Sequence, residues 1–596
     1  MSSNDSKSSM MNVEQALNQA VQHHQAGRLA EAETIYQQIL IREPSNSEVL
    51  NLLGVVLSQQ GQYQAALGLI IRAIEINPQA SNYHNNLGQV LLNLRWLDEA
   101  IRAYRKALNL KPDDPELLNN LGNALNTKGG HKEAAMEFNR AIKLQPDYAA
   151  AHYNLGNALS ALGQTDAAIA AYQNALALKP DLVEARINLG NAFKIQNRFA
   201  EAVREFHEAV KLKPNFAEAH NNLGNLFNQQ QRIEEAIAEY RLAIAHKPDF
   251  AEAHYNLGNT LKDRGRFDEA IIAYCSAVAF KPSYPEAHYN LAILLLLKGD
   301  FKRGWQEYEW RWKWANFTSP PRNFSQPQWD GSPLENRTLL LHAEQGLGDT
   351  IQFIRYVSLA ARRGGKIIIG CQAELQRLFR IMPEGCQIVV QGALLPNFDL
   401  HCPLLSLPLV FGTTLENIPN TVPYLYADVQ DAKSWQQRLD EHSPGLKVGL
   451  VWAGSPTHDP QRFIKLSNLA PLGQVSGVRF FSLQKGEASI QAKTPPAGME
   501  LIDWTAELKD FADTAALIAN LDLVITIDTA AVHLAGALGK PVWTLLPFIP
   551  DWRWMLERED SPWYPTMRLF RQSIRGDWDG VIKRVAEALS IWTKSL

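Results

Sequence analysis

The sequence predicts an α-solenoid followed by an α/β region. In the first half of the chain, a proline recurs every 34 residues. In the second half, short β-branched apolar runs alternate with helix-forming segments. The clearest run is LVITI at Leu523 to Ile527, which Asp528 and Thr529 follow at once. A fixed period of this length is typical of stacked helix pairs, and strands that alternate with helices are typical of parallel sheets.

Composition narrows the function classes. A chain of 596 residues is long enough for several domains. With 58 Lys and Arg against 62 Asp and Glu, the net charge is −4, so no bulk basic charge indicates nucleic-acid binding. Residues 1–10 are polar, lack the apolar core of a signal peptide and are predicted to be disordered. The longest apolar run, Leu291 to Leu297, is too short to cross a bilayer.

The number and spacing of the cysteines indicate the redox state of the protein's compartment. The chain has 4 cysteines, and none of them stands in a CxxC pair. This pattern fits a reducing compartment and offers no zinc site. We therefore expect a cytoplasmic protein without a transmembrane segment.

Three residue types share the 34-residue period. Proline closes each unit because it cannot continue a helix, and small residues let paired helices approach closely. The columns are Pro44, Pro78, Pro112, Pro146, Pro180, Pro214, Pro248 and Pro282; Gly54, Gly88, Gly122, Gly156, Gly190, Gly224 and Gly258; and Ala66, Ala100, Ala134, Ala168, Ala202, Ala236 and Ala270. The pattern resembles the tetratricopeptide repeat, in about nine units over residues 11–316. That resemblance implies a right-handed superhelix with a concave binding groove.

A column of asparagines bears on function. It comprises Asn86, Asn120, Asn154, Asn188, Asn222, Asn256 and Asn290. Asparagine is a mediocre helix residue, and its amide can pair with any extended peptide backbone. We therefore predict that the column binds a polypeptide in the groove. Alternatively, it forms hydrogen bonds between repeats, or it is a neutral residue carried along by duplication. A similar ladder in the protein O-GlcNAc transferases holds polypeptide acceptors.

The last repeat departs from the pattern. Gly304 stands where alanine is expected, Arg311 occupies a small-residue position, and Asn316 replaces the proline. Tryptophans crowd into the same segment, which suits docking against another domain. Residues 317–336 are rich in proline and are predicted to form a short stiff linker. We expect the repeat array and the α/β region to be packed together.

A first small α/β domain is predicted over residues 337–427. Its first strand leads into the loop HAEQGLGDT, which contains Gly346, Gly348 and Asp349. The loop is not GxGxxG, so it does not indicate a dinucleotide site. Asp349 begins a helix, where a capping role explains it. As a catalytic carboxylate it would also be well placed at the rim of a cleft.

A second α/β domain is predicted over residues 445–572, followed by a C-terminal helix over 573–596. Several of its strands end in polar residues, and the carboxyl ends of parallel strands meet at one sheet edge. These residues are Gly454, Ser455, Arg462, Lys465, Gln484, Lys485, Asp528 and Thr529. Cations and hydroxyls beside a helix N-terminus suit a diphosphate. For any one of the cations alone, a solvated loop charge is the simpler interpretation.

Two motifs resemble those of the glycosyltransferases with two Rossmann-like domains (GT-B), most closely the heptosyltransferase-like family. In that family a Gly-Asp pair opens the first helix, matching Gly348-Asp349. An Asp-Thr-Gly-x-x-His turn binds the donor diphosphate, matching Asp528-Thr529-Ala530-x-x-His533 with alanine in place of the glycine. The resemblance covers residues 337–572. It implies that Asp349 is the catalytic base and that Arg462 or Lys465 is the family's basic residue.

The resulting hypothesis is a metal-independent glycosyltransferase without a cofactor. It would move a sugar from a nucleotide-sugar to a Ser or Thr side chain of a polypeptide held by the repeats. No DxD-type acidic pair stands in a convincing loop, so no metal site is predicted. The alternatives are a non-catalytic scaffold that senses a nucleotide-sugar, and a transferase that acts on a lipid-linked or polysaccharide glycan. His533 would donate to a phosphate oxygen or simply pack.

Overall fold

We describe a computed structural model of the chain, which covers residues 12–380, 386–441, 445–454 and 463–595. The chain divides into two compact units, Met1–Pro248 and Asp249–Leu596. The predicted disordered segment 1–10 lies outside the described residues, as do Ser455 and Arg462. No helix among the described residues is long and apolar enough to cross a membrane.

The first unit consists of helices that pack in successive pairs. The helices are α1 (Val13–Gln25), α2 (Leu29–Arg42), α3 (Ser47–Gln59), α4 (Tyr63–Ile76), α5 (Ser81–Asn93), α6 (Leu97–Leu110), α7 (Pro115–Thr127), α8 (His131–Leu144), α9 (Ala149–Ala161), α10 (Thr165–Leu178), α11 (Val183–Ile195), α12 (Phe199–Leu212), α13 (Ala217–Gln229) and α14 (Ile233–His246). The glycine column explains the close pairing. A methyl group at Gly122 would lie 2.6 Å from the Phe138 ring, so only glycine fits there.

The second unit begins with the last two helix pairs. They are α15 (Ala251–Asp263), α16 (Phe267–Phe280), α17 (Pro285–Lys298) and α18 (Phe301–Tyr308), and a short 3-10 helix, Glu309–Lys313, follows. These last helices pack against the α/β region within this unit. The indole N–H of Trp305, for example, donates to the carbonyl of Thr413 at 3.1 Å.

A parallel four-stranded sheet follows, in the spatial order β3-β2-β1-β4. Its elements are β1 (Thr338–His342), α19 (Leu347–Phe353), α20 (Val357–Ala361), β2 (Lys366–Cys371), α21 (Gln376–Phe379), β3 (Cys386–Val390), β4 (Leu400–Pro403) and α22 (Leu407–Val410). The segment predicted as a linker is partly packed against this sheet. Trp329 is buried, and its backbone N–H donates to the carbonyl of His401 in β4 at 2.8 Å.

The second sheet is also parallel and has six strands. Its elements are α23 (Val429–Asp440), β5 (Leu446–Val451), β6 (Val478–Ser482), β7 (Leu501–Ile502), α24 (Phe511–Ile518), β8 (Leu523–Ile527), α25 (Ala530–Ala537), β9 (Val542–Leu546), β10 (Met567–Arg571) and α26 (Trp578–Thr593). The C-terminal helix belongs to this domain, because Val581 and Val585 share a core with Ile525. The predicted order of an α-solenoid followed by an α/β region is confirmed.

Candidate active site

The strand order of the second sheet marks a place for a ligand. The order is β7-β6-β5-β8-β9-β10, so the direction of winding reverses between β5 and β8. In doubly wound sheets, ligands bind at this switch point, beyond the carboxyl ends of the strands. A cavity of about 730 Å³ lies there. We call it the switch-point cavity; its lining includes Ala453, Gly454, Lys485, Thr529 and Ala530.

The N-terminus of α25 contributes main-chain donors to this cavity. Thr529 is the N-cap residue, and its side chain makes no capping hydrogen bond. Its hydroxyl lies 3.4 Å from that of Thr526. The first N–H groups of a helix have no partner within the helix, and Ala530 and Ala531 both line the cavity. An anion would therefore meet a hydroxyl and the positive end of the helix dipole.

The loop after β1 reaches the same place. A methyl group at Gly348 would lie 2.9 Å from Cδ2 of His533 and 3.4 Å from Cα of Ala530. Leu347, on the same loop, lines the switch-point cavity. The N-termini of α19 and α25 are thus in contact, and Gly348, the residue before Asp349, lies against the first residue of α25. The two motifs of the sequence meet at one cleft.

Asp349 is held at both carboxylate oxygens. The N–H of Gly346 donates to Oδ2 at 2.9 Å, which is the half of a capping box that a glycine N-cap allows at the start of α19. The guanidinium of Arg553 donates to Oδ1. The Asp349 side chain retains 19 % of its exposure, against 8 % for Arg553. Asp349 is therefore partly exposed, while its partner is buried.

Arg553 is shared among three side chains. Besides Asp349, it donates to the carboxylate of Asp551 at 2.9 Å and to Oε1 of Gln352 at 2.5 Å. Burial alone would lower the pKa of the Arg553 guanidinium. The carboxylates of Asp551 and Asp349 outweigh that effect and raise the pKa above its ordinary value. Arg553 is therefore a permanent cation between two carboxylates.

Two of the predicted phosphate-binding side chains are used within the protein. The amide of Gln484 accepts from the N–H groups of Trp452 and Ala453, at 3.0 and 2.8 Å, and donates to the carbonyl of Ala453 at 2.9 Å. The ammonium of Lys485 donates to the carbonyls of Thr505 and Leu508, at 2.7 and 2.8 Å. Both residues line the cavity, but their polar groups tie the strand ends together.

The other residues predicted to bind the diphosphate lie in different places. Lys465 is exposed and is not among the residues that line the switch-point cavity. His533 is buried; its Nδ1 lies 3.0 Å from the Tyr564 hydroxyl, and its ring stacks on Trp554. Within the part of the chain that the structure describes, no group of three or more His, Cys, Asp or Glu residues could hold a metal ion.

The asparagine column makes hydrogen bonds between repeats. In the first unit, the amide of Asn154 donates to Oδ1 of Asn119 in the preceding repeat at 2.9 Å. The amide of Asn188 donates to Oδ1 of Asn157 at 2.8 Å. Bonds of the same kind join Asn86 to Asn51, Asn120 to Asn85, and Asn290 to Asn259. The structural alternative thus accounts for the amide donors of these residues. Peptide binding by the column stays a prediction.

Sequence reasoning missed Arg553, Asp551 and Gln352. The segment PDWRWM that contains the first two has no repeat and no spacing that links it to Asp349. The only available signal was a basic residue inside an aromatic, apolar stretch, which is unusual unless the charge is paired. Such a signal indicates a buried ion pair but does not name the partner.

Comparisons with known proteins agree with this architecture. Residues 23–90 and six segments between 97 and 299 match two tetratricopeptide-repeat families. Residues 468–547 match glycosyltransferase family 9 (heptosyltransferase). The chain thus carries tetratricopeptide repeats fused to a C-terminal glycosyltransferase family 9 domain, as the sequence predicted.

Individual known proteins match this chain over only part of its length. Protein FlbA of Caulobacter vibrioides is 30% identical over 322 residues, which are 50% of this chain and 53% of that protein. The chain therefore spans about half the length of this curated relative. Among solved structures, the Cut9–Hcn1 hetero-tetramer of the APC/C is 20% identical over 47% of this chain and 55% of that chain, with a TM-score of 0.36. YrrB, described as a TPR protein with an unusual peptide-binding site, is 27% identical over 31% of this chain and 95% of that chain, with a TM-score of 0.27.

Proposed function

We propose that the protein is a glycosyltransferase that moves a sugar from a nucleotide-sugar to a Ser or Thr hydroxyl of a polypeptide. The observation that carries this proposal is the contact between the two motif loops. Gly348, which directly precedes Asp349, packs on Ala530 and His533, and both Ala530 and the neighbouring Leu347 line the switch-point cavity. The match of residues 468–547 to glycosyltransferase family 9 supports the reaction class.

The donor would occupy the switch-point cavity. A volume of about 730 Å³ lies within the range of small-molecule sites, roughly 300–1,000 Å³. The diphosphate would accept hydrogen bonds from the Thr529 hydroxyl and from the first N–H groups of α25. These groups are fixed before the reaction, so they can stabilise the negative charge that develops as the diphosphate leaves. We propose that Lys465 or Arg462 adds a cation and that no metal ion is needed.

The acceptor would lose its proton to Asp349. The hydroxyl oxygen forms a bond to the anomeric carbon, the bond from that carbon to the diphosphate breaks, and the hydroxyl proton passes to the carboxylate. Asp349 suits this role because it is partly exposed and fixed in direction by Gly346 and Arg553. The repeat groove would deliver the polypeptide, as the tetratricopeptide repeats suggest.

A second candidate is a scaffold that binds a nucleotide-sugar without turning it over. It is favoured by the engagement of both Asp349 oxygens, since a carboxylate that caps α19 and pairs with Arg553 has a structural role already. Activity does not follow from fold. Both candidates predict a donor site in the switch-point cavity, and only one predicts turnover.

One experiment separates the candidates. Thermal unfolding of the full chain is measured with UDP-N-acetylglucosamine, UDP-glucose, ADP-heptose, GDP-mannose and a CMP-nonulosonate. A ligand that binds only the folded state raises the melting temperature. The nucleotide-sugar with the largest shift is then tested for hydrolysis and for transfer to Ser- and Thr-containing peptides.

Transfer to peptides establishes the proposed function. A thermal shift without turnover establishes the scaffold, and transfer only to lipid-linked or polysaccharide glycans overturns the polypeptide acceptor. A variant that lacks residues 1–248, the first compact unit, provides a second test. The shortened protein should keep slow donor hydrolysis and lose transfer to long polypeptides.

A further inference from the structure

A buried ion pair joins the last repeat to the loop that bears Asp349. Arg311, in the 3-10 helix after α18, is fully buried. Its guanidinium donates to both carboxylate oxygens of Glu344, at 3.1 and 2.8 Å. It also donates to the hydroxyl of Ser406 at 2.8 Å. Glu344 stands five residues before Asp349 in the same loop.

Glu344 is buried, and its charge partner is the Arg311 guanidinium. Burial raises the pKa of its carboxyl, and Arg311 opposes that shift. The carboxylate also accepts from the N–H of Leu405 at 3.2 Å, so it fixes the loop after β4 as well as its own. Without the guanidinium, a buried carboxylate would be left unpaired, which is strongly unfavourable.

Further contacts from the same segment hold the next residue of the loop. The N–H of Gln345 donates to the hydroxyl of Ser319 at 2.7 Å. The hydroxyl of Tyr308 donates to the side-chain oxygen of Gln345 at 3.4 Å. Gln345 has a positive φ of 59°, a conformation that a non-glycine residue adopts only when its surroundings impose it. The backbone just before Gly346 is thus held by the last residue of α18 and by the segment that follows it.

The last repeat also supports the other partner of Asp349. The rings of Trp305 and Trp552 meet edge to face with centroids 5.2 Å apart. Tyr308 contacts the same Trp552 ring at 6.5 Å. Trp552 directly precedes Arg553, so one repeat contacts both segments that carry the Asp349–Arg553 ion pair.

We propose that Arg311 is a positioning residue for glycosyl transfer, through which the last repeat holds Asp349 in its reactive orientation. This rests on the proposed function of Asp349 as the base. Arg311 does not line the switch-point cavity, so it acts through Glu344 and the loop; its guanidinium also binds the Glu309 carboxylate at 2.6 Å. The last repeat then contributes to the catalytic domain, besides any part it has in acceptor binding.

The test is a double-mutant cycle in the full chain. Arg311→Met keeps the apolar stem and removes the charge. A small misplacement of a reacting group can lower turnover about 100-fold, so we expect a loss of that order in kcat for transfer. The affinity for the nucleotide-sugar that gives the largest thermal shift should stay unchanged. In an Asp349→Asn background, Arg311→Met should cause no further loss, because residues that act as a unit are not additive.

Arg186→Met is the matched control. Arg186 forms a partly buried ion pair with Glu205 at 2.9 Å in the first unit, far along the sequence from the loop. It should leave kcat unchanged. Equal kcat values for Arg311→Met and wild type would overturn the proposal, as would a loss that simply adds to that of Asp349→Asn. If Arg311→Met does not fold, Glu344→Gln and Arg311→Lys replace it in the same cycle.

Amide hydrogen exchange tests the positioning role of Arg311 independently of whether the protein transfers a sugar. Amides of residues 345–350 should exchange faster in Arg311→Met than in wild type, while those of α9 and α10 should not change. If wild type transfers no sugar, the proposed function fails, and faster exchange still shows that Arg311 orders the loop. Unchanged exchange at 345–350 in a folded Arg311→Met protein overturns the positioning role in either case.

Discussion

The guanidinium of Arg553 donates to the carboxylate of Asp349 across 204 positions of the chain. This ion pair joins the loop after the first strand of one sheet to a segment beyond the fifth strand of the other. Removing one member of a buried ion pair lowers the stability of the fold, because the remaining charge is left buried without a partner. The pair therefore bridges the two sheets' loops and fixes the direction of the candidate base.

Replacing Arg553 with methionine should destabilise the second unit. Asp349 and Asp551 would lose a shared, buried partner, and breaking such a pair costs about 3–5 kcal/mol. The free energy of unfolding can be followed in urea by tryptophan fluorescence. Of the 15 tryptophans, only Trp96 precedes residue 249, so the signal reports almost entirely on this unit.

Arg438→Met is the control for this prediction. Arg438 pairs with Glu507 at 2.7 Å, but the two side chains keep 37% and 54% of their exposure. Exposed pairs contribute about 0–1 kcal/mol. If both variants lose the same stability, the Arg553 cluster is no more than a surface contact.

Replacing Asp349 with asparagine should abolish most turnover and leave donor affinity nearly intact. A positioned general base typically contributes about 10²–10⁴-fold. Asparagine has the same shape but cannot take the acceptor proton, and the donor cavity is lined by other residues. Single-turnover kinetics gives the chemical step, and calorimetric titration gives the donor affinity.

Asp551→Asn provides the matched comparison, because Asp551 shares the same Arg553 guanidinium. That variant loses an equivalent ion pair without touching the proposed base. If the two aspartate variants lose turnover equally, the effect comes from Arg553 and the local structure. Asp349 would then have no place in the chemistry.

Replacing Gly348 with alanine should weaken donor binding. The new methyl group would lie 2.9 Å from His533 and 3.4 Å from the Ala530 backbone, so α19 and α25 must move apart. We expect a loss of about tenfold, or about 1.4 kcal/mol, in the affinity for the nucleotide-sugar. Calorimetric titration of the folded variant measures it.

Gly68→Ala is the matched substitution. Gly68 lies inside α4, and nothing stands within 4 Å of the added methyl group. Alanine is favoured over glycine in a helix by about 0.5–1 kcal/mol, so stability should rise slightly and donor binding should not change. Wild-type donor affinity in Gly348→Ala would show that the loop contact does not shape the cavity.

The sequence was most informative where local pattern decides structure. The strand Leu523–Ile527 and the parallel order of its neighbours follow from short apolar runs that alternate with helices. The repeat array follows from its period. These features depend on residues that are close together in the chain, so a single sequence contains the signal.

The roles of polar residues were harder to predict. Gln484 stands at a strand end, where a ligand contact is plausible, but two backbone N–H groups beyond β5 need an acceptor, and its amide supplies it. Arg311 and Arg553 find partners far away in the chain, which no spacing reveals. A charged residue in an apolar stretch is expected to be paired, but only the folded structure shows which residue is its partner.

The asparagine column allows the two interpretations of the repeats to be separated. Asn154 donates to Asn119 in the preceding repeat at 2.9 Å, so Asn154→Ala should cost about 1 kcal/mol of stability. Asn222 holds the same place in its repeat, but Ile187 stands 35 residues before it, where Asn86, Asn120 and Asn154 have an asparagine acceptor. Its side chain makes no bond of this kind within the described residues.

Asn222→Ala should therefore leave the thermal stability of the first unit unchanged. Circular dichroism at the helix band measures both variants. If the column binds an extended polypeptide, Asn222→Ala should raise the KM for a long acceptor without changing kcat for a short one, because the groove is remote in sequence from Asp349. If Asn154→Ala alone has an effect, and only on stability, the column is a structural ladder that does not bind the acceptor.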